Sequence, residues 1–282
     1  MADTKHQKHP KLIKPEMGRF GRNEWALHGT NCSDIQKFAK EITGHLKDHF
    51  RICYVDTDHR SYKEELQADY LSDGAKSALS DKQTFQQIET NIEHPDYDYK
   101  FILQEHDLIM LNGNHHTGKK QIVFLDESKV ESLAKRSDQL TDIQAFIIVN
   151  SYNVVPTHII EQNPEYKSIP FFTSDESKKV AELIAQNLTK DRPPLKALIL
   201  AGGKSVRMGK DKGQIDYHGK SQIEYMSDLA SEFVEDVYIS CRPDQTDQIV
   251  SEYPLLPDRI EGMGPYGGIL SAFMQDPNAA WL

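Results

Sequence analysis

The chain is 282 residues long, enough for two domains of the usual roughly 100–200 residues each. Hydrophobic residues make up 38% and charged ones 27%, a balance that supports packed cores, and no apolar run approaches the roughly 20 residues that cross a bilayer. The net charge of −10 argues against a general nucleic-acid surface and leaves small molecules and proteins as the expected partners.

The Lys- and His-rich start (MADTKHQKHPKLIKPE) lacks the apolar stretch of a secretory signal, and residues 1–19 read as a disordered tail. Cys32, Cys53 and Cys241 are scattered and show no CxxC spacing. That pattern fits neither a disulfide framework nor a zinc ribbon, and it points to a reducing, cytoplasmic setting.

In chain order, EWALHG (24–29) is a short apolar run ending in glycine, and a helix is expected over 33–47 with Ser33 or Asp34 as its cap. RICYVD (51–56) reads as a strand, and the polar stretch 62–92 as helical. FILQEHDLIMLNG (101–113) holds a helix end and a buried strand, followed by strands at KQIVFLD (120–126), AFIIVN (145–150) and SIPFF (168–172). A helix over 174–188 closes the segment. Strands separated by helical patterns imply a mostly parallel sheet covered on both faces. The paired prolines of TKDRPP (189–194) end that helix, so domains are expected at 20–190 and 195–282 with a linker at 191–194.

The second domain opens with LKALIL, a continuous apolar strand, and runs directly into AGGKSVRMGKDKGQIDYHGKSQIEY (201–225), with a helix expected from Ser221. Between Pro193 and Lys220 stand six basic residues (Lys196, Lys204, Arg207, Lys210, Lys212, Lys220) against two acids, Asp211 and Asp216. A basic island in an acidic chain suits a small anionic ligand. Gly202 and Gly203 let the backbone approach a phosphate, Arg207 offers a bidentate fork, and Lys212 offers a point charge.

LILAGGKSVRMGKDKGQIDYHGK resembles the opening of the molybdenum cofactor guanylyltransferase family, and DRIEGMGPYGGILSAF (258–273) resembles a second block of it, with Tyr266 where leucine is usual. DVYISCR (236–242) is similar to the strand whose end lies near base and ribose. The resemblance implies a Rossmann-like domain that transfers GMP from GTP to molybdopterin and releases pyrophosphate. It implies that Leu200, Ala201, Gly202, Gly203, Ser205, Lys212, Asp258 and Gly264 bind the nucleotide, and that Arg207 and Lys212 serve catalysis, Arg207 at the leaving pyrophosphate. It further implies Mg²⁺ held by an aspartate that follows the next strand, which on this alignment lies beyond Leu282. The expectation is therefore an incomplete nucleotidyltransferase domain with little activity on its own and with a sheet edge suited to homodimerisation.

The N-terminal segment resembles molybdopterin-guanine dinucleotide biosynthesis protein B, a P-loop family. At the phosphate loop Gly29 matches the first glycine, while Asp34, Ile35 and Gln36 stand where Gly, Lys and Ser/Thr would be, and Asn112 replaces a glutamate. Loss of the lysine and hydroxyl implies a P-loop-like unit that does not hydrolyse nucleotide. His115 and His116, with Asp56, Asp58 and His59, read as solvated turn residues beside an alternative anion or metal cluster. The fold expectation is α/β, two three-layer units with mostly parallel sheets. The functional expectation is molybdenum cofactor maturation, with GTP and molybdopterin as ligands and molybdoenzymes or a cofactor-delivery chaperone as protein partners. A nucleotidyltransferase using CTP or a sugar phosphate, and a non-catalytic molybdopterin-binding adaptor, are the alternatives.

Overall fold

The computed structural model of the chain describes residues 13–58, 70–71, 73–202, 215–216, 219–260 and 262–282. Its contacts fall into two units, Met17–Asp191 and a second that joins the described residues 13–16 to Arg192–Leu282.

In the first unit, β1 (Glu24–His28), β2 (Ile52–Val55), β5 (Leu108–Asn112), β6 (Lys120–Leu125), β7 (Ile143–Ile148) and β8 (Phe171–Thr173) form one sheet in the order β2-β5-β1-β6-β7-β8. Every pairing in it is parallel. The inner strands β1, β5, β6 and β7 are buried on both faces, which is why they read as unbroken apolar runs rather than alternating ones. Helix α1 (Cys32–Leu46) turns Ile35, Phe38, Ala39, Ile42 and Leu46 to the sheet. The helix Ser177–Lys190, α5 here, does the same with Val180, Ala181, Ile184 and Leu188. Both stripes pack on Trp25, Leu27, Met110, Ile122 and Phe124. The opposite face is covered by shorter helices: α2 (Asp96–Ile102), α3 (Val130–Ala134), which buries Leu133, and α4 (Thr157–Gln162), which buries Ile159. Three layers result, as expected, with each fully buried Leu or Ile contributing roughly 1.5–3 kcal/mol.

Two expectations are corrected. Within 62–92, the described residues hold an antiparallel hairpin, β3 (Ser77–Asp81) and β4 (Gln86–Thr90), with Leu79 opposite Ile88; residues 59–69 and 72 lie outside the description. Polarity favoured a helix on paper, yet Ala78, Leu79, Phe85 and Ile88 are too few and too scattered to make the sustained apolar stripe a packed helix needs. The cap of α1 is Asn31, not Ser33 or Asp34, because its side chain reaches the Asp34 N–H at 3.0 Å and leaves the helix starting one residue earlier. Ahead of it Gly29 adopts φ +93°, and a Cβ there would collide with the Phe124 carbonyl.

The second unit is smaller. Strands β9 (Leu195–Leu200), β10 (Asp236–Cys241), β11 (Leu255–Pro257) and β12 (Ala280–Trp281) lie in the order β11-β10-β9-β12, again all parallel. Helix α6 (Gln222–Ser231) starts at Ser221, whose hydroxyl accepts the Glu224 N–H, and packs Ile223 and Ala230 on one face. Helix α7 (Pro265–Gln275), capped by Gly264, lies on the other face against β9, β10 and β11. Lys196 of β9 pairs with Asp236 and Asp276, each at 3.1 Å, and so ties β9 to the start of β10 and the residue after α7.

Candidate functional site

In open parallel sheets the ligand crevice lies past the carboxyl ends of the strands, at the point where strand order reverses. In the second unit that point is β9, with β10 and β11 on one side and β12 on the other. A cleft of about 760 Å³ opens there, lined by Leu200, Gly202, Ser240, Arg242, Asp258 and Gly264 among others.

Its geometry is built from the ends of three strands. The Ala201 N–H donates to the Ser240 carbonyl at 2.9 Å, which keeps the start of the glycine loop alongside β10. Arg242, just past β10, donates from Nη1 to the Gly202 carbonyl at 2.9 Å and from Nε to Asp244 at 2.9 Å. Asp258, just past β11, accepts from the Ser240 hydroxyl at 2.9 Å. Burial pushes the Asp258 carboxyl above its ordinary value, against the lowering effects of the Ser240 hydroxyl and of Arg242. The α7 amino terminus approaches closely, since a Cβ on Gly267 would sit 3.4 Å from Asp258 Oδ2 and one on Gly268 would overlap the Ser240 side chain. The result is an acceptor carboxylate and the positive end of a helix facing one glycine-lined cavity.

Of the residues expected to bind nucleotide, Leu200, Gly202, Asp258 and Gly264 line this cleft together. Ala201 is buried beside it. Gly203, Ser205, Arg207 and Lys212 lie outside the described residues. Arg242 and Ser240 were not singled out from sequence. Their signal was present, a small hydroxyl inside an apolar strand and an arginine at its exit, but neither has meaning until Asp258 is placed opposite. As for Mg²⁺, no three carboxylate, His or Cys groups among the described residues converge as ligands. The cleft's two carboxylates, Asp258 and Asp244, are engaged by Ser240 and Arg242. The described residues do not make up a magnesium site.

The first unit has its own cleft, about 350 Å³, again at the strand-order reversal and lined by His28, Thr30, Asn31, Cys32, Asn114, Lys129 and Arg136 among others. Beside it Asp56 accepts from Gln36, Tyr54, the Thr57 N–H and Asn112 at 2.7–2.9 Å. Burial raises the Asp56 carboxyl, but these donors outweigh it and hold it below the ordinary range. His115 approaches both Cys32, at 3.3 Å, and Asp56, at 3.9 Å, while His116 meets Thr57 at 3.2 Å. The two histidines therefore stand in a turn after β5 with distinct partners. His59 lies outside the described residues.

An α/β unit of this strand order, with a glycine loop and an aspartate at its switch point, has the form of a nucleotidyltransferase domain. Residues 197–282 match the family model described as "MobA-like NTP transferase domain". A "Molybdenum cofactor biosynthesis bifunctional protein" of Synechocystis sp. is 39% identical over 117 residues, 41% of this chain and 34% of the relative. A "Molybdenum cofactor guanylyltransferase" of Pseudomonas entomophila is 35% identical over 86 residues, 28% of this chain and 42% of the relative. The chain thus spans between 34% and 42% of the length of these two curated relatives. Among solved structures, a crystal structure of molybdopterin-guanine biosynthesis protein B covers 59% of this chain and 99% of that one at 17% identity, with a TM-score of 0.41. MobB of Bacillus subtilis covers 58% of this chain and 96% of that one at 13% identity, with a TM-score of 0.44.

Proposed function

We propose that the second unit binds GTP and belongs to an enzyme that transfers GMP to molybdopterin with release of pyrophosphate. The single observation that carries this reading is the convergence of Gly202, Asp258 and the α7 amino terminus on one cleft at the strand-order reversal. The family match over 197–282 and the names of the curated relatives support it. In the proposed complex the backbone at Gly202 and the residues that follow cradle phosphate, with Lys212 and Arg207 as the cations. Asp258 accepts hydrogen bonds from hydroxyl or amino groups of the nucleoside, and Arg242 holds the loop by its bond to the Gly202 carbonyl. Phosphoryl transfer accumulates negative charge, so fixed cations supply the main stabilisation. Mg²⁺ would add charge neutralisation where its ligands exist, and no step here depends on it.

The first unit we read as a P-loop-like domain that does not hydrolyse nucleotide. Asp34 at the helix start adds a repelling charge, Gln36 is committed to Asp56, and Ile35 stands where the motif's phosphate-binding lysine would be.

Calorimetric titration of the full chain with GTP and with CTP tests the assignment, with Lys212→Ala as the control. GTP-selective binding that Lys212→Ala weakens at least tenfold is expected, since a charged contact contributes roughly 1.5–3 kcal/mol. Equal affinity for the two nucleotides would remove the guanylyl assignment while leaving the transferase class.

A further inference from the structure

The first unit's cleft holds chemistry that nucleotide transfer does not use. Cys32 is the first residue of α1, a helix of 15 residues, so its sulfur stands where backbone N–H groups and the helix dipole favour negative charge. His115 Nε2 lies 3.3 Å from Cys32 Sγ, and Asn114 Nδ2 donates to the same sulfur at 3.7 Å. Cys32 is partly exposed and lines the cleft together with Lys129 and Arg136.

A second observation points to a ligand there. His28 lines the same cleft, is 0% exposed, and has no hydrogen-bond partner at either ring nitrogen. Burial, then the charge of Arg136, depress it to about 4, so the ring is neutral near pH 7, with one donor and one acceptor to offer. The other two thiols are different. Burial pushes both Cys53 and Cys241 up, and neither has a histidine partner among the described contacts.

We propose that Cys32 is a reactive nucleophile that accepts a thiol group by exchange with small anionic disulfides entering this cleft. Nothing in the transferase reading bears on it. As Cys32 Sγ attacks one sulfur of the disulfide, its proton passes to His115 Nε2. A new S–S bond forms to Cys32, the original S–S bond breaks, and its electron pair departs on the second sulfur as a thiolate, which takes up the proton. Lys129 and Arg136 attract the carboxylates of such a molecule, and the unpartnered His28 lines the cleft that receives it. The titratable groups around Cys32 are His115 from the turn after β5, Tyr54 of β2, and Lys129 and Arg136 around α3; farther out, Asp56 reaches His115, His116 meets Thr57, and Asp34 of the same helix bonds Asn31.

The test uses the full chain with oxidised glutathione as the probe, read by intact mass and peptide mapping. Neutral bis(2-hydroxyethyl) disulfide and cationic cystamine serve as comparators. Cys32 is expected to react at least tenfold faster than Cys53 and Cys241, with oxidised glutathione the fastest reagent. Lys129→Met should narrow the gap between the anionic and cationic reagents. His115→Asn should slow the reaction at least tenfold near pH 7 and less than twofold near pH 9.5, where hydroxide removes the thiol proton unaided. Labelling of Cys53 or Cys241 as fast as Cys32, or faster reaction with cystamine, would overturn the proposal, and both are read on the unsubstituted chain. Equal slowing by His115→Asn at the two pH values would remove His115 from the step.

Discussion

At the residue scale the informative groups are those whose surroundings disfavour their charge. Asp258 is one. Burial holds its carboxyl above the ordinary value, so the folded unit tolerates the anion rather than requiring it. Asp258→Asn keeps the shape and removes the charge. The expectation is that the variant is no less stable than the parent by denaturant unfolding, yet binds GTP roughly tenfold more weakly, the loss of one charge-assisted hydrogen bond. Both falling together would mean that Asp258 is structural. His28 is the second such group, depressed to about 4 from an ordinary value of 6.5. Its folded value lies below its unfolded one, so below about pH 6.5 the unfolded chain binds a proton that the folded chain refuses. Stability therefore falls as pH drops from about 6.5 toward 4, by at most about 3 kcal/mol from this residue. Urea unfolding at pH 7 and pH 4.5 should show a smaller pH dependence for His28→Gln than for the parent; identical slopes would count against a buried neutral imidazole.

At the scale of elements, most of the sheet strands and α1, α5 and α6 were legible in the residue pattern, whereas α7 was marked only by the resemblance of 258–273 to a family block. The Ile35, Phe38, Ala39, Ile42 stripe can only be a helix face, and LKALIL reads as a strand, although Ala197 alone in it is fully buried and Leu195 and Leu200 are half-exposed. The hairpin at 77–90 was not legible, since Leu79 and Ile88 are 63% and 68% exposed and no core demand imposes their pattern. The same logic explains the site. Gly202 and Asp258 belong to motifs with local signatures, whereas Arg242 and Ser240 matter only through partners 40 and 18 residues away. Asn31 illustrates how local chemistry decides a boundary. Its side chain satisfies the Asp34 N–H and so starts α1 at Cys32, at the rim of the first cleft. Asn31→Ala should cost about 1 kcal/mol of stability by urea unfolding. It should also loosen the first turn, giving faster amide exchange over 32–35, while amides in β9 and β10 exchange unchanged.

At the scale of the whole molecule, two parallel sheets with separate cores place one cleft each at a strand-order reversal, and the two clefts carry different chemistry. One presents a carboxylate, a helix terminus and glycines, the other a thiol, imidazoles and two cations. Ligand binding stabilises the state that binds, by about 2.7 kcal/mol when the ligand is at 100 times its Kd. If GTP is the ligand of the second unit alone, that stabilisation belongs to Arg192–Leu282 and leaves Met17–Asp191 untouched. Hydrogen exchange on the full chain, with and without saturating GTP, resolves this by peptide. Protection is expected at 200–202, 240–242 and 258–268, where opening is slowed up to about a hundredfold by a stabilisation of that size. The 24–36 segment, with its Asp34 carboxylate and no loop lysine, should exchange at the same rate in both conditions. Protection there of equal size would mean that the first unit also binds the nucleotide, and the division of labour between the two clefts would have to be redrawn.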